Sequence, residues 1–236
     1  MNEKKLTLAL EQALTRITRE TGLVGGVVDV IQGGKVTFTY HYGYADRENR
    51  IPMDQDTLFD VASTSKAWTV MLAAQAIDEG LLTWDGPIRD VIPEFQMTDE
   101  YAAAHLSVRD LASHRSGLPG HDFLREKIFG DRENLMRKLK DLEFSCGFRS
   151  KYQYNNHLFI LLGYLVERAR GGMLWEDQIV KYIAEPLGVD PIRFRGVKAD
   201  MTNIHPALPY CSDGYQAQRC GYATNYHSAP CGGIRI

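Results

Sequence analysis

Ser63, Thr64, Ser65 and Lys66 stand in the stretch DVASTSKAWT, residues 60–69. A hydroxyl and an amine three positions apart share one face once the chain turns helical. The chemistry open to them is nucleophilic attack by serine oxygen, and a serine hydroxyl needs a base to take its proton. A solvated lysine is protonated, with a pKa of about 10.4, and cannot serve. It must be desolvated or share the proton with a second group. A tyrosine held beside an ammonium is pushed toward phenolate by the same attraction. The pair therefore calls for a tyrosine from elsewhere in the chain. A helix start under Ser63 would add partial positive charge and unpaired N–H groups, and the Ser63 N–H could be half of an oxyanion hole. Ser-x-x-Lys alone decides nothing, because a chain of this length holds about one such match by chance.

The candidate tyrosine is in RSKYQYNNHLFILLG, residues 149–163, where Tyr154-Asn155-Asn156 forms the sole Tyr-x-Asn of the sequence. A loop tyrosine followed by an asparagine helix cap reads the same way. The remaining groups need no chemistry. His114 and His121, in SHRSGLPGHD, fit hydrogen bonding of the loop backbone. Trp68 and Trp175 fit a core. Cysteines stand at 146, 211, 220 and 231. A metal site built from Cys211, Cys220, Cys231 and His227 would have spacings far looser than paired zinc ligands. The expectation is reduced thiols, no metal and no cofactor.

Several elements must position these groups. Leu6, Leu10, Ala13, Leu14 and Ile17 recur at helical spacing in residues 4–20. LVGGVVDVIQ and KVTFTYHYGYA, joined by Gly33-Gly34, read as a hairpin. From about residue 64 the pattern is helical, with Val70, Met71, Ala74 and Ile77 on one face and Gly80 as the stop. LSVRDLASH begins another helix capped by Ser107, and ENLMRKLKDL a third. NHLFILLGYLVERARGG is apolar on most sides, hence buried, and WEDQIVKYIAEPLG follows. No convincing strand appears after residue 60, although two strands are too few for a stable sheet.

The chain as a whole sets outer bounds. It has 236 residues, 44% hydrophobic and 24% charged, with net charge −3. That composition is globular and supports one or two domains. The mild negative charge without a basic run argues against nucleic acid as a partner. The opening MNEKKLTLALEQAL has too short an apolar patch for a signal core, and no stretch reaches the ~18 apolar residues of a membrane span. The expected location is cytoplasmic, with no membrane contact.

Read together, these segments resemble the serine β-lactamase and penicillin-binding-protein superfamily in its class C-like esterase branch. The resemblance runs through GYADRENRIPMDQDTLFDVASTSKAWTVMLAAQAIDEGLLTWDGPIRDVIPEF, LSVRDLASHRSGLPGHD, FRSKYQYNNHLFILLGYLVE, IAEPLGV and APCGGIRI, from about residue 23 to the last. It implies an α/β (α+β) fold, an antiparallel sheet flanked by helices plus a mostly helical domain, divided at 1–62 and 63–236. It implies that Ser63 is acylated, that Lys66 and Tyr154 share its activation, and that Asn156 hydrogen-bonds Lys66 or the substrate. The activity implied is acyl-enzyme hydrolysis of small esters or amides. β-Lactamase or D-alanyl peptidase action is the alternative within the fold, and a non-catalytic scaffold or binding module the alternative outside it.

The family also uses a third motif, Lys-Thr-Gly or His-x-Gly, on a strand beside the nucleophile. The sole His-x-Gly is His41-Tyr42-Gly43, which precedes Ser63 on the opening hairpin. The sequence therefore resembles the front part of such an enzyme, with an incomplete sheet. A complementing C-terminal polypeptide or self-association is expected as a result.

Overall fold

The computed structural model describes residues 3–122, 131–190, 206–212, 217–219 and 229–233. They fall into two compact units, one formed by Met1–Phe59 with Asp200–Ala223 and the other by Asp60–Ala199 with Thr224–Ile236.

In the first unit, helix α1 (Glu3–Thr21) precedes strands β1 (Gly25–Gln32), β2 (Lys35–Asp46) and β3 (Ile51–Pro52), which pair antiparallel in the order β1-β2-β3. Gly33 and Gly34 have φ of 57° and 75°. Positive φ at both central residues is the primed turn that matches the twist of a two-residue hairpin. Thr15 Oγ1 on α1 meets Tyr40 OH on β2 at 3.1 Å. The expectation of no strands beyond residue 60 fails: β4 (Tyr210–Ser212) and β5 (Ala217–Arg219) pair antiparallel. At three residues each they are too short for a periodic signal. The segment ahead of them is tied to the rest of this unit by Ala207 N–H to Leu58 O, 2.8 Å, and Leu208 N–H to Ala45 O, 2.9 Å. Cys211 is disulfide-bonded, against the expectation of reduced thiols, which Cys146 and Cys231 meet as free cysteines. That expectation rested on cellular compartment, whereas a disulfide forms wherever two cysteines meet its narrow geometry.

The second unit holds the core. A short 3₁₀ turn (Ala62–Ser65) leads into α2 (Lys66–Asp78). Gly80 follows with φ 75° and ends the helix, as expected. The buried face of α2 is Thr69, Leu72, Ala73 and Ala76, whereas Met71 is 45% exposed. The expected face, Val70, Met71, Ala74 and Ile77, is thus rotated from the true one, because α2 is apolar on most of its circumference and its pattern does not fix a direction. Next come α3 (Glu100–His105), α4 (Val108–Ala112), α5 (Arg132–Lys138), α6 (Asn156–Ala169), α7 (Trp175–Ile179), α8 (Glu185–Leu187) and α9 (Ala229–Gly232). Ser107 caps α4 in a capping box with Asp110, as its sequence predicts. Helix α6 is buried from Asn156 to Glu167 and forms the centre of the core, with α2, α5 and α9 against it. A side chain added at Gly163 would lie 2.6 Å from Pro230 Cβ. The glycine lets α9 lie directly on α6.

Among the described residues no helix is long and apolar enough to cross a membrane.

Candidate active site

Ser63 sits on the exposed 3₁₀ turn, one step before the α-helix begins, and Lys66 opens that helix with 8% of its surface exposed. Lys66 Nζ donates to Ser63 Oγ at 3.2 Å, to Asn156 Oδ1 at 2.8 Å and to the carbonyl of Cys231 at 2.6 Å. An ammonium has three N–H donors, and three acceptors surround it here. Tyr154 OH donates to Ser63 Oγ at 2.6 Å. The Lys66 ammonium also stands 4.7 Å from the centre of the Tyr154 ring. Ser63, Lys66, Tyr154 and Asn156, four residues singled out from sequence, thus meet at one point across 90 residues of chain.

The arrangement depends on a template loop, residues 114–122. Gln153 N–H donates to His114 O at 2.8 Å, and Asn155 N–H to His114 Nδ1 at 3.1 Å. Asn155 caps α6 through Leu158 N–H, 2.9 Å, and its Nδ2 donates to Leu118 O and Pro119 O at 3.1 and 2.8 Å. His157 Nδ1 donates to Gly120 O at 2.8 Å. Asn156 Nδ2 donates to Asp122 Oδ1, also at 2.8 Å. The Tyr-x-Asn segment is therefore fastened to this loop on both sides of Tyr154. His114 and Gly117 hold left-handed backbone, φ 57° and 87°. At Gly117 a side chain would come 2.6 Å from Cys146 O, so glycine is required there.

His114 acts on the loop backbone as expected, and its ring packs 4.6 Å from that of Tyr154. Burial, with the Lys66 charge added, pushes its pKa down to about 4. Its Nδ1 accepts a hydrogen bond, so the ring is the neutral Nε2–H tautomer. His121 Nε2 bonds Glu143 O at 3.2 Å. Asp110 anchors the far end of the loop. Burial alone would raise its pKa, but hydrogen bonds from Arg149 and Ser107 outweigh that and hold it low. Arg149 Nη2 reaches it at 2.7 Å.

Sequence reasoning missed three contributors. Thr69 Oγ1 donates to Pro230 O at 2.7 Å and accepts from Trp175 Nε1 at 3.2 Å, bracing α9. The Cys231 carbonyl contributes through its backbone, which no residue type announces. Asp122 lies inside a motif that was read for its histidines. Among the described residues no group of three or more His, Cys, Asp or Glu is arranged to hold a metal. Of the cysteine–histidine set weighed for a metal, Cys220 and His227 lie outside the described residues.

The Beta-lactamase family profile matches residues 10–208. The chain is 32% identical to a D-aminopeptidase of Brucella anthropi over 192 residues, 78% of this chain and 35% of that protein. It is 29% identical to the esterase EstB of Burkholderia gladioli over 226 residues, 89% of this chain and 56% of the esterase. A crystal structure of a class C beta-lactamase in complex with cefoxitin superposes with a TM-score of 0.82 at 25% identity, over 100% of this chain and 63% of that one. The chain thus spans between about a third and a little over half the length of these two curated relatives.

Proposed function

The chain belongs to the Beta-lactamase family, and we propose that it is a serine hydrolase that forms an acyl-enzyme on Ser63 with a small ester or amide. The observation that carries this reading is the convergence of Lys66 Nζ and Tyr154 OH on Ser63 Oγ, at 3.2 and 2.6 Å. In this mechanism Lys66 and Tyr154, holding one proton fewer between them than a full ammonium and a phenol, take the Ser63 proton as Oγ attacks the carbonyl carbon, then pass it to the leaving alcohol or amine. Water attacks the ester by the same path in reverse, returning the proton to Ser63. The Ser63 N–H supplies one oxyanion donor. Asn156 holds Lys66 in register.

The names of the relatives, an esterase and a D-aminopeptidase, support small ester or amide substrates. Ile31 and Val36 on the opening hairpin are 69% and 59% exposed, which supports association with a second copy or a further polypeptide. Sedimentation velocity tests that point.

The deciding experiment is covalent labelling with a fluorophosphonate, read by intact mass, for the wild type and Ser63→Ala. One adduct is expected on the wild type and none on the variant. Equal labelling of both would remove Ser63 as the nucleophile. Comparing p-nitrophenyl acetate with a chromogenic cephalosporin then separates esterase from β-lactamase action.

A further inference from the structure

Asp122 is outside the Ser-x-x-Lys and Tyr-x-Asn motifs, yet it is one hydrogen bond from them. Its Oδ1 accepts from Asn156 Nδ2 at 2.8 Å, while the other end of the same amide, Oδ1, accepts from Lys66 Nζ at 2.8 Å. The two partners have opposite demands. A carboxylate only accepts and an ammonium only donates, so the amide between them has a single satisfied orientation. The line carboxylate–amide–ammonium also polarises the amide at both ends, and hydrogen bonds in such a chain strengthen one another. The backbone is fitted to this contact. A side chain added at Gly120 would lie 2.9 Å from Asp122 Oδ2 and 3.4 Å from the carbonyl of Tyr154. The bare glycine thus leaves room for the carboxylate beside the segment that carries Tyr154. Asn156 is itself 7% exposed, so an amide end that lost its partner there would go unsatisfied.

We propose that Asp122 is a positioning residue of the acylation site, acting through Asn156 to fix Lys66 against Ser63. The proposal rests on the serine-hydrolase reading for its consequence, but the contact itself can be measured without it. Losing a charge-assisted bond to a buried amide slows fluorophosphonate labelling of Asp122→Ala by about 10- to 100-fold. Asp122→Asn keeps an acceptor oxygen without the charge, and recovers part of that loss. Because Asp122 works through one partner, the double variant Asp122→Ala with Asn156→Ala labels no more slowly than Asn156→Ala alone. A second readout is independent of acylation: the Asn156 side-chain amide protons, followed by NMR, exchange faster with water in Asp122→Ala. If Ser63→Ala labels as well as the wild type, the hydrolase reading falls, and the amide exchange still decides whether Asp122 holds Asn156. If labelling depends on Ser63 but Asp122→Ala stays within about twofold of wild type, or the double variant is additive, the proposal is overturned and the hydrolase reading stands. Unchanged amide exchange overturns it in either case.

Discussion

Gly163→Ala tests whether the helix packing behind the site governs its chemistry. In an ordinary helix interior this change stabilises by about 0.5–1 kcal/mol, through lower chain entropy and better propensity. Here the new methyl would meet Pro230 Cβ at 2.6 Å, with Trp175 Cδ1 already at contact, 3.5 Å, on another side. Apolar carbons rest at about 3.5–4.0 Å, so α9 must move away by roughly 1 Å. Overpacking of this kind costs about 1–3 kcal/mol, which exceeds the propensity gain. The movement falls on the two carbonyls that α9 presents to α2, Pro230 O to Thr69 and Cys231 O to Lys66. Stretched by that amount, the 2.6 Å bond to Lys66 leaves hydrogen-bonding range. Lys66 then loses one of three fixed acceptors, and a misplacement of about 1 Å at a catalytic group costs up to about 100-fold. Urea unfolding and fluorophosphonate labelling of Gly163→Ala measure both effects. A variant that is more stable than wild type and labels at the wild-type rate would refute the packing of α9 on α6 as the support of Lys66.

Tyr154→Phe keeps the ring against His114 but removes the oxygen 2.6 Å from Ser63; labelling falls by about 10²–10⁴-fold while the urea midpoint hardly moves. His114 has a native pKa of about 4 against about 6.5 in the unfolded chain. Between those values the unfolded state binds more protons, so this group's contribution to stability is lost as pH falls from about 6.5 to about 4 and changes no further below that. Urea titrations at stepped pH show the loss in wild type and a flatter profile in His114→Gln, which keeps an acceptor for Asn155. Arg132 is buried between Glu167 and Glu176 and bonds both. Burial pushes the Glu167 pKa up against the pull of Arg132, so Arg132→Met leaves the buried Glu167 carboxylate and the half-buried Glu176 without their cation, at a cost of about 3–5 kcal/mol. The deficit shrinks as pH is lowered through the range where Glu167 protonates, and urea unfolding at pH 8 and pH 5 checks the sign.

What was legible in the sequence was what side chains announce. Ser63, Lys66, Tyr154 and Asn156 could be grouped because Ser-x-x-Lys and Tyr-x-Asn, with the segments around them, resemble those of the serine β-lactamase superfamily; a nucleophile's need of a base does not by itself choose among twelve tyrosines. Ser107, Gly80 and the Gly33-Gly34 turn were legible because caps and left-handed positions have narrow residue preferences. The face of α2 was not, because a helix apolar on most sides gives periodicity no direction. Strands β4 and β5 were not, because three residues carry no period.

The less visible half of the site is backbone. Pro230 and Cys231 contribute carbonyls, and a carbonyl is the same on every residue, so its role is fixed only when α9 is docked. Docking in turn depends on Gly163, whose sequence signal is an isolated helical glycine with many possible causes. Asp122 is an intermediate case. Its carboxylate was visible, but its purpose lies in which end of Asn156 it meets, and that depends on how the loop at 114–122 closes against 153–157. The loop closes through backbone and asparagine bonds, from Gln153 N–H to His114 O and from Asn155 Nδ2 to Leu118 O and Pro119 O. Sequence therefore nominates the reacting groups, while the precision that could make them react is held in contacts with no residue code.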